Sequence, residues 1–208
     1  MSRIRVLGVD PGFANIGLFG ITRLSPGVKA EFSRLILTEK GNEGSEGQYE
    51  DDLRRLELIE AEFVLALDDF KPDVVASERT PSLRNAQATR QIACAFGAMH
   101  AISRRRGLPF LIFHPEDIKF ELCGSRKAKK PKLAKALKGI FPTFSDWPKA
   151  KKKATTTKHG GYSMITHVVD AGGAAILASK LDLDALLDQH PLRVTVTEVV
   201  LPQSGSPT

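Results

Sequence analysis

The chain alternates between apolar runs of strand length and longer stretches with helical spacing. Ile4-Arg5-Val6-Leu7-Gly8-Val9 reads as a mostly buried strand, closed by the turn residues Asp10-Pro11-Gly12. Two further strand-like segments, Ile16 to Leu24 and Val28 to Leu37, meet through Ser25-Pro26-Gly27 and complete an antiparallel meander. Gly41 to Gln48, rich in Gly, Glu, Asn and Ser, reads as a loop. From Glu50 the pattern becomes helical, with Leu53, Leu56, Glu60, Phe63, Leu67 and Phe70 three or four apart, until Pro72 stops it. Asp73 to Glu78 is a short buried strand, Asn85 to Arg106 a second helix, and Phe110 to Phe113 a fifth strand. His114-Pro115-Glu116 then opens a short helix. A last helix, rich in small residues, runs from Met164 to Ser179.

The order β-β-β-α-β-α-β-α-α predicts an α/β fold: a five-stranded mixed sheet, flanked by helices, whose strands one, four and five are parallel and joined by right-handed crossovers. Residues 1–180 are expected to form one domain, with a basic insertion at 143–163, and residues 181–208 a C-terminal extension. In that extension Arg193 to Leu201 has the makings of an extra strand, and Pro202 to Thr208 reads as disordered.

Composition narrows the class. With 208 residues, 42% of them apolar and 26% charged, the chain can bury one sizeable core. No apolar run reaches membrane-spanning length and the first residues pass straight into a strand, so no membrane association and a cytoplasmic location are expected. The two cysteines, Cys94 and Cys123, lack the spacing of a zinc site or a disulfide framework, and Cys94 is expected to be buried in its helix.

Charge is unevenly spread. Between Arg126 and Lys158 twelve basic residues face Asp146 alone, a net of +11, which leaves the rest of the chain at −5 against a total of +6. A concentrated positive stripe on an acidic body suits a polyanion such as nucleic acid, although a solvated lysine-rich loop would look similar. On the nucleic-acid reading the contacts fall on Arg84, Lys119, Arg126, Lys127, Lys129, Lys130, Lys132, Lys151, Lys152 and Lys153.

Three carboxylates stand where the topology gives them a use. Asp10 follows strand one, Glu78 ends strand four and Asp170 lies on the last helix. If strands one and four are parallel neighbours, their carboxyl ends adjoin at the edge where open α/β sheets place ligands. Like charges held together there call for a cation, and hard oxygen ligands suit Mg²⁺ or Mn²⁺ rather than zinc. His167 shares a helix face with Asp170, three residues on, and could bind an ion or accept a proton from an attacking water. A histidine near a helix start is also an ordinary hydrogen-bonding residue.

These segments resemble the RuvC family of Holliday-junction resolvases, of the ribonuclease H-like fold. Leu7-Gly8-Val9-Asp10-Pro11-Gly12 with Ile16-Gly17 is similar to the family's first motif and Pro72 to Glu78 to its second. The likeness continues through Asn85-Ala86, Gly97-Ala98, Arg106 to Pro109, Pro115 to Lys119 and His167 to Ala171. The resemblance implies a homodimeric endonuclease that nicks four-way DNA junctions symmetrically, with two Mg²⁺ ions per site, replaceable by Mn²⁺. It places the metal site on Asp10, Glu78, His167 and Asp170, and lysines near the scissile phosphate at Lys119 and Lys130. It also implies that the helix Asn85 to Arg106 supplies the dimer interface, though its apolar residues would serve equally as internal core.

Two departures stand out. The loop after Glu78 lacks the aromatic that wedges into the junction in this family, leaving Leu83 as its bulky apolar residue. The connection Thr143 to Ser163 is longer than usual and carries Trp147 and Tyr162 among lysines, where an aromatic either stacks on an unpaired base or pins the loop to the body. A related nuclease acting on flaps, forks or structured RNA, and a junction-binding protein without catalysis, are the competing readings.

Overall fold

The computed structural model describes residues 3–41, 47–80, 85–148, 163–188 and 197–198. β1 (Ile4–Asp10), β2 (Asn15–Arg23) and β3 (Val28–Leu37) form the antiparallel meander, with Asp10 opposite Gly17 and Asn15 opposite Leu37. β4 (Val74–Glu78) and β5 (Phe110–Phe113) join parallel to β1, so the five expected strands and their directions are all present. A two-residue β6 (Thr197–Glu198) pairs parallel with β5, within the stretch where an extra strand was expected, and the sheet order is β3-β2-β1-β4-β5-β6.

Period-two alternation sorts the strands' side chains onto two faces. Leu7, Val9, Leu18 and Val75 pack with Ile59, Phe63 and Phe70 of α1 (Gln48–Phe70) and Met99 of α2 (Ala86–Arg105). Val6, Phe19, Ile21, Val74 and Ala76 pack on the other side against Val168, Ala171 and Ala175 of α5 (Ser163–Ser179). Fully buried side chains of this size contribute roughly 1.5–3 kcal/mol each, so these two layers hold the sheet between them. α1 ends where Lys71 takes a left-handed conformation (φ 50°) just before Pro72, and α2 begins at Asn85, whose Oδ1 accepts the Ala88 N–H.

The basic segment departs from the expected course. Beyond α3 (Pro115–Cys123) it forms a further helix, α4 (Lys130–Ile140), whose Leu133 and Leu137 are buried against the α5 layer. Two leucines four apart supply the apolar stripe, and Pro131 sits in the first turn, where a missing N–H costs nothing. A last short helix, α6 (Leu183–Asp188), buries Leu183 in the same core and ties Asp184 to Arg23.

Cys94 is exposed, against expectation. α2 turns Ala95, Met99, Ile102 and Ser103 inward, and at 100° per residue the neighbouring Cys94 falls on the outer face with Gly97. Trp147 pins its segment to the body: its ring stacks on Phe19 at 5.3 Å, meets Phe144 edge-on and carries Lys138 Nζ 5.8 Å above it. Leu83, Arg84, Lys151, Lys152, Lys153 and Tyr162 lie outside the described residues. No helix among the described residues is long and apolar enough to cross a membrane.

Candidate active site at the carboxyl edge of the sheet

Alternation carries Ile4, Val6 and Gly8, and therefore Asp10, to the α5 face of β1; on β4 it carries Val74, Ala76 and Glu78 to the same face. Parallel pairing of Val9 with Ser77 then sets the two strand-end carboxylates side by side. Two glycines bring α5 down to meet them. A Cβ at Gly17 would stand 2.1 Å from the His167 backbone, and one at Gly8 1.9 Å from the Ala171 carbonyl oxygen. With hydrogen at both positions the helix rests directly on β1 and β2, and His167 and Asp170 reach the strand ends.

His167 Nδ1 lies 2.5 Å from Asp10 Oδ2. One helical turn on, Asp170 Oδ2 accepts a hydrogen bond from Lys130 Nζ at 3.0 Å. The carboxylates are shielded, with side-chain exposures of 14% for Asp10 and 11% for Asp170, whereas Lys130 at 58% reaches solvent. Asp10, Glu78, His167, Asp170, Lys119, Lys129 and Lys130 line one cavity of about 460 Å³.

The electrostatics are those of a site crowded with like charge. Burial, and then the nearby Asp10 and Asp170, push the Glu78 carboxyl up to about 8. Asp170 is raised by burial and then by Asp10, against the pull of Lys130 and His167. Burial lowers Lys130, but Asp170, Asp10 and Glu78 together outweigh it and hold the ammonium protonated. Among the described residues no three His, Cys, Asp or Glu side chains stand close enough together, as placed, to hold an ion; Asp10 is engaged by His167 and Asp170 by Lys130. The donor set nonetheless suits a hard divalent cation: three shielded carboxylates close together, Glu78 and Asp170 raised by burial and by their neighbours, with an imidazole beside them.

The remaining basic candidates lie outside the cavity. Arg126 pairs with Asp117 at 2.9 Å and covers the Phe120 ring, Lys132 Nζ donates to the Cys123 carbonyl, and Lys127 is exposed. The structure adds wall residues that sequence reasoning did not single out, among them Ile92, Ile118 and Leu133, which form its apolar side. It also adds a pair at the same sheet edge: Arg79 Nη1 lies 3.0 Å from His114 Nε2, and the Arg79 N–H donates to the Phe113 carbonyl. Both residues follow the last residue of a parallel strand, a position that was available as a signal.

Comparison with known proteins agrees with this architecture. Residues 6–154 match the family described as "Crossover junction endodeoxyribonuclease RuvC". The RuvC of Paenarthrobacter aurescens is 32% identical over 138 residues, 66% of this chain and 69% of that protein. That of Christiangramia forsetii is 26% identical over 189 residues, 91% of this chain and 92% of its own length. The Thermus thermophilus RuvC structure superposes with a TM-score of 0.61 at 23% identity, covering 83% of this chain and 92% of that one. The yeast mitochondrial Holliday junction resolvase does so with a TM-score of 0.58 at 14% identity, covering 88% and 80%. The fold shared with these two is ribonuclease H-like. On the family match and on the near full-length relative, the chain belongs to the RuvC family of crossover junction endodeoxyribonucleases.

Proposed function

We propose that this chain resolves four-way DNA junctions as a homodimer, by metal-dependent hydrolysis at the cavity bounded by Asp10, Glu78, His167 and Asp170. The observation that carries this reading is the convergence of three shielded carboxylates and an imidazole with Lys119, Lys129 and Lys130 around one opening at the carboxyl edge of the sheet. Among the solved structures of similar fold is T. thermophilus RuvC in complex with a Holliday junction substrate, which supports the choice of branched DNA.

Asp10, Glu78, Asp170 and His167 would hold the divalent cations, Mg²⁺ or Mn²⁺ by the hardness of the oxygen donors. Two such ions would acidify a water and neutralise charge on the scissile phosphate. The chain's own groups do the positioning. With His167 neutral, its Nδ1–H donates to Asp10, which orients the ring and leaves the Nε2 lone pair as the acceptor for a proton or a metal. Lys130, held protonated beside Asp170, and Lys119 supply positive charge where a phosphate enters. The outer face of α2, with Arg90, Ala93, Cys94 and Gly97 exposed, supports its use as the contact with a second copy.

Asp10→Asn is expected to abolish Mg²⁺-dependent cleavage of an immobile four-way junction while retaining junction binding in chelator. Binding lost together with cleavage would assign Asp10 a structural role instead.

A further inference from the structure

On the face of the sheet away from α5, a buried polar cluster stands behind the catalytic edge. Asp51 and Arg55 of α1 are 3% and 7% exposed, and Thr38, the residue after β3, is 5% exposed. Arg55 Nε donates to Thr38 Oγ1 at 2.9 Å, and Thr38 Oγ1 donates to the Phe13 carbonyl at 2.6 Å. The Arg55 guanidinium also lies over the Phe13 ring, 4.4 Å from its centroid. The Thr38 N–H donates to the Ala14 carbonyl at 3.0 Å. Asp51 accepts the Gly41 N–H at 2.8 Å, pairs with Arg54 and lies 3.6 Å from Arg55 Nη1, while its Oδ2 has no hydrogen-bond donor among the described residues.

Two features set this cluster apart from ordinary packing. An arginine and a carboxylate taken out of water cost several kcal/mol in desolvation, and an apolar pair of similar volume commonly serves stability as well or better. The links from Arg55 and Thr38, moreover, end on the residues that leave Asp10. Phe13 is gripped at both its carbonyl and its ring, and Ala14 at its carbonyl. The turn they hold is tight, since a Cβ at Gly12 would meet the Asn15 carbonyl oxygen at 2.0 Å. It connects Asp10 to Asn15 at the start of β2, so its placement sets where the Asp10 carboxylate stands against His167.

We infer that Arg55 and Thr38 are positioning residues for the reaction, holding the Phe13–Ala14 end of the turn so that Asp10 keeps its place in the active site. This rests on the proposed role of Asp10. Misplacement of a reacting group by about 1 Å can cost on the order of a hundredfold in rate.

The test measures single-turnover junction cleavage in Mg²⁺, junction affinity in chelator and thermal stability for Thr38→Val, Thr38→Ser and Arg55→Lys, with Asp10→Asn alongside. Thr38→Val keeps the shape and removes the hydroxyl, and Thr38→Ser restores it. The expected result is cleavage at least about tenfold slower for Thr38→Val and Arg55→Lys, with affinity held within about twofold and cleavage returned by Thr38→Ser. Folded Thr38→Val and Arg55→Lys proteins that cut at the native rate would overturn the inference, as would Thr38→Ser being as slow as Thr38→Val, or slowing that only accompanies lost affinity. If Asp10→Asn itself cuts normally, the reading of the active site fails; if it is inactive while Thr38→Val is not, this inference alone fails.

Discussion

Glu78 concentrates the chemistry of the site in one residue. Its carboxyl sits at about 8 against an ordinary value of 4.5, so the native protein keeps a proton there through a pH range in which the unfolded chain has released it. Native proton binding then exceeds unfolded binding, and the stability of the metal-free protein falls as pH rises from about 4.5 to about 8. Asp170 is shifted in the same direction, whereas the raised Lys130 stays protonated across this window. At roughly 1.4 kcal/mol per pKa unit the loss amounts to a few kcal/mol. Glu78→Gln, which cannot ionise, is expected to flatten that slope and to be more stable than the native chain at pH 8 in chelator, as read by denaturant unfolding at pH 5 and pH 8. An equal slope in both proteins would show that Glu78 is already ionised in the metal-free site. The strand-end placement of Asp10 and Glu78 was legible in the chain because apolar runs of alternating side chains end in acids. The bond from Lys130 to Asp170 was not, since it depends on a helix hidden within a run of lysines.

Among the elements, α5 decides whether the strand-end acids become a site. It lies on β1 and β2 only because Gly8 and Gly17 offer no Cβ. Gly17→Ala is expected to push the His167 turn away, at a cost of about 1–3 kcal/mol in stability, and to slow cleavage more than tenfold. Gly139→Ala, where nothing among the described residues lies within 4 Å of the added methyl, serves as the control and should be neutral or stabilising by up to about 1 kcal/mol. Thermal melts with single-turnover rates decide the matter, and native cleavage in Gly17→Ala would show that α5 does not set the geometry. Several elements could be read ahead from local signals: α1 from its spacing and Pro72, and β1, β4 and β5 from short apolar runs. α4 escaped because its apolar stripe is two leucines wide among lysines, and the exposure of Cys94 because composition alone does not say which way a helix turns. The buried Asp51–Arg55–Thr38 cluster was equally hidden: Asp51 and Arg55 are one helical turn apart on α1, but Thr38 and Phe13 come from other elements, and only the packing of α1 against the β1–β2 turn brings them together.

For the molecule as a whole, the proposed function raises the question of how chains that each carry this carboxylate cavity would cut two strands. Paired nicks need two sites held at a fixed spacing, which a symmetric dimer provides. On the exposed outer face of α2, nothing among the described residues lies within 4 Å of a Cβ added at Gly97, so a side chain there projects into open space. The most direct measurement is a time course on an immobile four-way junction with both cleavable strands labelled, in Mg²⁺ and in chelator, beside flap, fork and linear duplex at matched salt. The Gly97→Arg protein is run in parallel, with its mass in solution determined. The expected result is metal-dependent nicks at symmetry-related positions of the junction, with Gly97→Arg folded, monomeric and unable to pair its cuts. Cutting spread evenly over flaps, forks and duplex, or no metal-dependent cutting of the junction, would contradict it.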